Sequence, residues 1–167
     1  MFSKVITIAA AAALSVMLVA GSVQAQTPGK LIVNQFSGKC LDVPGLSNLT
    51  PGTPLQLYDC EHNGVDYSGK PSDQFWVFAE QGQVRNTLSG MCLDISGTDN
   101  GSLIQIEACD AANPAQYWIV RQDGFIQNQA TGKCINVAGM AATANETPLA
   151  LTECETGLAQ TSQRWRS

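Results

Sequence analysis

One ten-residue stretch, NQFSGKCLDV at residues 34–43, returns twice along the chain, as NTLSGMCLDI at residues 86–95 and as NQATGKCINV at residues 128–137. Each version has an asparagine six residues before a cysteine, a glycine two residues before it, and a serine or threonine directly before that glycine. Such self-similarity is the signature of a repeated structural unit. The chain is therefore predicted to contain three copies of one unit.

Each copy continues from this stretch to a second cysteine and closes on a Gln-x-Trp triplet. The second cysteines are Cys60, Cys109 and Cys154, and the triplets lie at residues 74–76, 116–118 and 163–165. The predicted copies span about residues 29–79, 80–121 and 122–167. The three tryptophans, one per copy, are expected in the core.

The local pattern within a copy indicates β-strands. Short runs such as residues 31–33 and 55–58 are rich in β-branched or aromatic residues and are bounded by Gly, Pro, Asn and Ser. Alternation around Gln56 and Gln105 places apolar residues on one face and an amide on the other. About twelve strands in three copies favour a closed, threefold all-β barrel over an open solenoid, since closure removes free sheet edges.

Six cysteines are expected to form three disulfides inside the copies. If each copy is one structural unit, the pairs are Cys40–Cys60, Cys92–Cys109 and Cys134–Cys154. Loops of this length stabilise the fold by about 3 kcal/mol each in the chain-entropy model. The alternative, free thiols, is disfavoured by the export signal described next.

The first 25 residues have the layout of a cleaved secretory signal peptide. Lys4 is followed by an apolar run at residues 5–21, and Val23 and Ala25 provide the small residues of a cleavage site. A retained membrane anchor is the alternative. The prediction is a secreted or periplasmic protein whose mature part, residues 26–167, is a single domain without membrane insertion.

Charge restricts the partners. Without Lys4 the chain has eight basic and fourteen acidic residues, a net charge near −6. Nucleic acid and anionic lipid are disfavoured, because binding them requires Lys and Arg to neutralise phosphates. Neutral ligands are favoured.

The triplicated Cys-Leu-Asp-Val-like segment, Gln-Leu-Tyr-x-Cys-like segment and closing Gln-x-Trp resemble those of the ricin-type β-trefoil lectins. The resemblance covers residues 31–165. It implies a β-trefoil and a secreted lectin that binds neutral glycans, either galactose-like or those of plant or bacterial polysaccharides. The same fold also serves as a carbohydrate-binding module attached to bacterial glycosidases.

The resemblance places the best sugar site in the first copy. There Asp42 is expected to accept hydrogen bonds from two adjacent sugar hydroxyls, and Tyr58 to stack on the sugar. Gln56 provides a supporting amide, and the pair Asp73 and Gln74 completes the site. A charged acceptor and a flat aromatic ring suit a vicinal diol and its apolar face. The family usually has asparagine at the position of Asp73. An ionised aspartate cannot donate, and two carboxylates in one pocket raise the pKa of one of them.

The other copies are weaker matches. The second keeps Asp94, Gln105 and Gln116 as a weaker carbohydrate-binding set, but it has Glu107 at the aromatic position and Ala115 before the closing glutamine. The third departs further and is predicted to be structural; it has Asn136, Ala150 and Thr152 at the three ligand positions.

Two further hypotheses remain beside the free-standing lectin. One is a targeting subunit of a multi-chain secreted toxin or enzyme complex. The other is a β-trefoil that binds protein rather than sugar. An enzyme is not expected, nor a cofactor or a metal, since His62 is the one histidine. His62 and Tyr67 lie in residues 61–75, a loop that is longer than its counterparts in the other copies. This loop either borders the sugar site and contributes to its specificity or is an insertion without function.

Overall fold

The structure, a computed structural model, describes residues 28–45, 49–139, 143–159 and 161–167. The predicted signal peptide lies outside these residues. Within them, no helix is long and apolar enough to cross a membrane. The fold is all β, with one short 3₁₀ helix at Pro114–Gln116. The strands are β1 (Lys30–Leu31), β2 (Val33–Asn34), β3 (Cys40–Asp42), β4 (Thr53–Pro54), β5 (Gln56–Tyr58), β6 (Phe75–Phe78), β7 (Val84–Asn86), β8 (Cys92–Ile95), β9 (Ile104–Glu107), β10 (Trp118–Val120), β11 (Ile126–Asn128), β12 (Cys134–Val137), β13 (Thr147–Thr152) and β14 (Trp165–Arg166).

The described strands fall into three sets of four, one set per copy. The first copy has two extra breaks, because Ile32 separates β1 from β2 and Leu55 separates β4 from β5. Both residues are buried in the core. With each broken strand counted once, the copies contain four strands each, as the repeat predicts.

The first and fourth strands of the three copies form a closed barrel. Within a copy they pair with each other, as β1 with β6 and as the bridges Gln83–Tyr117 and Phe125–Arg164. Between copies, the fourth strand pairs with the first strand of the next, as β6 with β7, β10 with β11, and β14 with β2. The ring of six strands has no free edge, which confirms the closed, threefold barrel.

The second and third strands of each copy form a hairpin, and the three hairpins join one another at one end of the barrel. The hairpins are β3–β5, β8–β9 and β12–β13. They meet through β4–β9, β13–β5 and the bridge Leu103–Ala150. A six-stranded barrel with this threefold hairpin cap is a β-trefoil, as the resemblance implies.

Matched residues of the three copies fill the core. The tryptophans of the Gln-x-Trp triplets are buried, and each indole N–H donates to the carbonyl of the residue after the first cysteine of its copy: Trp76 to Leu41, Trp118 to Leu93 and Trp165 to Ile135. Burying one large apolar side chain stabilises a fold by about 1.5–3 kcal/mol. The prediction of three core tryptophans is confirmed.

The repeated asparagine explains the spacing of the ten-residue stretch. Asn86 is fully buried, and its Oδ1 accepts from the backbone N–H and the hydroxyl of Ser89 at 2.9 and 3.1 Å. Gly90, which ends this turn, has a φ of 71°, a conformation that glycine adopts without strain. The Nδ2 of Asn86 donates across the copy boundary to the carbonyl of Asp73. Each asparagine therefore shapes its own turn and fastens the preceding copy.

The three disulfides join the cysteines within each copy, Cys40–Cys60, Cys92–Cys109 and Cys134–Cys154, which confirms the predicted pairing. Each bond ties the start of the second strand of its copy to the residues that follow the third strand. In the first copy the disulfide lies close to Asp42, two residues after Cys40, and to Tyr58, two residues before Cys60. Three disulfides are typical of proteins in an oxidising, extracellular compartment.

Candidate carbohydrate-binding site

Asp42 is the centre of the candidate site in the first copy. It ends β3 and is 5% exposed. Gln56, which lies opposite it in β5, donates to Oδ2 at 2.8 Å, and Gln74 donates to Oδ1 at 2.9 Å. Burial raises the pKa of Asp42, and the hydrogen bonds from Gln56, Gln74 and Asp73 act in the opposite direction. Each oxygen is thus held by one amide, and with the hydrogen bond from Asp73 three of the roughly four acceptor sites of the carboxylate are occupied.

Gln74 contacts Asp42 from the protein interior. Its side chain is fully buried, and its Nε2 also donates to the carbonyl of Asp59 while its Oε1 accepts from the N–H of Glu61. Both amide protons are therefore used within the protein. Gln74 orients Asp42 and ties it to the end of β5, rather than offering a free donor to a ligand.

Asp73 lies beside Asp42 and is 8% exposed. Burial raises the pKa of Asp73 to about 8, helped by the negative charge of Asp42 and by the hydrogen bond between the two carboxyl groups. Near neutral pH Asp73 is therefore mostly protonated and donates to Asp42. A protonated carboxyl group supplies the donor that the family usually provides with asparagine, so the departure at this position keeps the hydrogen bond.

A cavity of about 190 Å³ opens at these residues. Asp42, Gln56, Tyr58 and Asp73 line it together, as the resemblance implies. Its other lining residues are Val43, Gly45, Glu61, Tyr67 and Glu146. The lining contains four carboxyl groups and two phenol rings and no Lys, Arg or His. Such a pocket accepts hydrogen bonds from hydroxyl groups and disfavours anionic ligands.

Two of these carboxyl groups were not predicted. Glu61 follows the second cysteine, and its Oε2 is buried without a hydrogen-bond partner in the described part of the chain. Glu146 reaches the cavity from the third copy, where its backbone N–H donates to the carbonyl of Leu57 at 2.8 Å. Contacts between copies leave no local pattern in the sequence, which is why Glu146 escaped prediction.

The second copy holds its carboxylate differently. The Oδ2 of Asp94 accepts hydrogen bonds from the side-chain amides of Gln116 at 2.9 Å and Asn113 at 3.1 Å. Its Oδ1 accepts from the backbone N–H of Ile95 at 2.6 Å. Gln105 lies opposite Asp94 in β9, but its side chain makes no hydrogen bond within the described residues. Asp94 and Asp42 therefore accept three hydrogen bonds each, and the second copy differs from the first mainly at Glu107, which provides no aromatic ring.

Asn113 was missed because it lies three residues before Gln116, outside the register of the repeat. It caps the 3₁₀ helix Pro114–Gln116, where its Oδ1 accepts from the N–H of Ala115 at 3.0 Å. An asparagine before a proline is a helix-start signal and was readable in the sequence.

The third copy has lost the carboxylate. Asn136 accepts from the hydroxyl of Ser162 at 2.9 Å, and Gln163 donates to Thr152 at 2.8 Å instead of to residue 136. Thr152 thus takes the bond that a site aspartate receives in the other copies. In the described part of the chain, no group of three or more His, Cys, Asp and Glu side chains has an arrangement that could hold a metal ion.

A β-trefoil with a buried, amide-held aspartate and an aromatic ring in one cavity has the architecture of a sugar-binding domain. The family model of the ricin-type beta-trefoil lectin domain matches residues 29–165. The chain therefore belongs to this family.

Solved structures of lectins share the fold. The C-half of the earthworm R-type lectin, solved with GalNAc, is 20% identical with a TM-score of 0.63, over 81% of this chain and 94% of that one. A non-toxic homologue of type II RIPs from bitter gourd, Momordica charantia, solved with α-methyl-D-galactoside, is 26% identical with a TM-score of 0.65, over 84% and 46%. The hemolytic lectin CEL-III is 28% identical with a TM-score of 0.60, over 86% and 31%. This chain spans less than half of the last two.

Proposed function

We propose that this protein is an extracellular lectin that binds neutral glycans through the cavity of the first copy, without catalysing a reaction. The observation that carries the proposal is the environment of Asp42. Two amides hold this carboxylate at 2.8 and 2.9 Å, one on each oxygen, at the wall of a cavity that Tyr58 also lines.

The chemistry follows from these contacts. A sugar hydroxyl donates to the acceptor site of Asp42 that Gln56, Gln74 and Asp73 leave open, and a charge-assisted hydrogen bond of this kind is stronger than a neutral one. Tyr58 covers the apolar face of the sugar. Asp73 keeps the carboxylate in place from the side, and Gln56 and Gln74 keep it in place from β5 and from the end of the loop.

Galactose-type sugars are the first candidates, because one of the similar lectins was solved with GalNAc and another with α-methyl-D-galactoside. One shallow site implies a dissociation constant on the order of millimolar for a simple sugar, about −4 kcal/mol. The three disulfides support an oxidising, extracellular location. A partner chain that carries further activity is compatible with this role.

A glycan array probed with the mature protein on a multivalent support, which compensates for millimolar binding, tests the proposal. Asp42→Ala is the site variant, and Asp94→Ala is the matched control in the second copy. We expect binding to terminal galactose-type or xylose-type glycans, at least about tenfold weaker in Asp42→Ala because a charged hydrogen-bond acceptor is lost. Asp94→Ala retains binding. Circular dichroism confirms that both variants fold.

Two results would contradict the proposal. Absence of binding to every glycan by the folded, disulfide-bonded protein removes the lectin function and turns the search to a protein ligand. Binding that survives Asp42→Ala but is lost in Asp94→Ala moves the site to the second copy.

A further inference from the structure

We propose that the site continues past the first sugar into a second subsite, centred on Tyr67, which binds the next ring of an oligosaccharide. This inference rests on the proposed function, because it names the ligand class of the same site. The ligand is then a neutral chain of at least two sugar rings rather than a single terminal sugar.

The segment that carries Tyr67 is an ordered hairpin. Residues 64–72 fold back through the bridge Val65–Pro71, and the N–H of Asp66 donates to the carbonyl of Lys70 at 2.8 Å. At the tip, Oδ1 of the buried Asp66 accepts from the N–H of Ser68 at 2.7 Å, its hydroxyl at 2.8 Å, and the N–H of Lys70 at 2.9 Å. The loop is therefore built to hold its tip in one conformation.

Tyr67 itself is the most exposed large apolar side chain among the described residues, at 80%. A rigid loop that presents a large aromatic ring to water pays a hydration cost, which contact with a ligand removes. Tyr58, on the wall of the first cavity, and Tyr67 are separated by nine residues in sequence, yet they line the same cavity.

A second cavity, of about 490 Å³, lies beside the first. The two cavities share Tyr58, Glu61 and Tyr67 and therefore adjoin at these side chains. Its volume is within the range of about 300–1,000 Å³ that is usual for ligand sites, whereas the first cavity alone is smaller. The pair of cavities suits a ligand longer than one ring.

The second cavity has the polar groups that a sugar ring needs. His62 and Asn63 line it, and within the described residues neither side chain makes a hydrogen bond, so their donors and acceptors are free. Val65, which is half-exposed, adds apolar surface beside Tyr67. An aromatic ring with a few free polar side chains is the composition expected of a subsite for a hydroxyl-rich ligand.

Calorimetric titration of the mature protein with matched monosaccharides and oligosaccharides tests the subsite: galactose against lactose and β-1,3-galactobiose, and xylose against xylotriose. We expect the longer member of one series to bind about three- to tenfold more tightly, as burial of one further sugar face predicts. Tyr67→Ala removes this gain, so that the longer ligand then binds no more tightly than its own monosaccharide. Tyr67→Phe, which keeps the ring, and Leu158→Ala, at an exposed position that lines neither cavity, retain it.

The outcomes separate this inference from the proposed function. If monosaccharides bind but chain length brings no gain, or if the gain survives Tyr67→Ala, the subsite is refuted and the lectin function stands. If the folded protein binds neither monosaccharides nor oligosaccharides, the proposed function fails and the subsite fails with it.

Discussion

At the scale of single residues, the three copies place a hydrogen-bond donor at the same spot by different means. Asn113 donates to Asp94 in the second copy, and Ser162 donates to Asn136 in the third. In the first copy the corresponding side chain is Asp73, which can donate only when it carries a proton. The raised pKa of Asp73 allows the first copy to have a donor as the other two copies do, and it makes this hydrogen bond sensitive to pH.

We predict that stability falls with rising pH through Asp73. Its carboxyl group titrates near 3.8 when unfolded and near 8 in the native state, so the native protein binds more protons between these values. The contribution is therefore complete below about pH 4 and is lost progressively as the pH rises to about 8. Thermal unfolding of wild type and Asp73→Asn from pH 5 to pH 9 measures it.

The asparagine variant isolates this effect from other titrations. Asp73→Asn donates to Asp42 at every pH, so its Tm exceeds that of wild type at pH 9 by about 2–4 °C for each kcal/mol recovered. At pH 5 the two proteins have similar Tm values. A difference that does not change with pH would contradict the prediction, because it would show that Asp73 does not titrate between pH 5 and pH 9.

At the scale of elements, two disulfides close loops of equal length, but one lies at the proposed site and the other in the third copy. Cys40–Cys60 and Cys134–Cys154 both close loops of 20 residues. Replacing either pair by serine lowers Tm by about 6–12 °C, from about 3 kcal/mol of loop entropy. Only the first replacement weakens galactose binding, because it frees β3 and β5, which carry Asp42 and Tyr58. Calorimetry below the Tm of both variants checks this, and an equal loss of binding would indicate general loosening instead.

The strands and the core were predictable because the same local signal occurs three times. The paired cysteines, the core tryptophans and the closed barrel all follow from matched positions, and the structure confirms them. Contacts that break the repeat were not predictable in this way. Asn113 lies out of register, and Glu146 arrives from another copy. The breaks at Ile32 and Leu55 lie where the strand changes its partner, from β6 to β14 and from β9 to β13.

At the scale of the whole molecule, the residues that maintain the fold are the same in all three copies, whereas the residues at the proposed site differ between copies. The buried asparagine, the turn glycine, the cysteines and the Gln-x-Trp triplet recur in all three copies because closure of the barrel needs three equal parts. The ligand-facing position of Tyr58 is occupied by Glu107 and Thr152 in the other copies. The fold is threefold, whereas the proposed site combines an amide-held aspartate with an aromatic ring in the first copy alone.

The single site that we propose for each domain predicts weak, monovalent binding that becomes strong only when domains are linked. Titration with galactose should give one sugar per chain, and two domains joined by a flexible linker should bind a galactose-coated surface about 100-fold more tightly than one domain, because the second contact becomes intramolecular. A tandem with Asp42→Ala in one domain should return to the single-domain affinity, whereas Asp94→Ala in both domains should have no effect. Light scattering of the single domain accompanies these measurements, because self-association would itself provide avidity. Avidity retained by the tandem with one Asp42→Ala domain would show that a second site, most directly the one at Asp94, binds sugar after all.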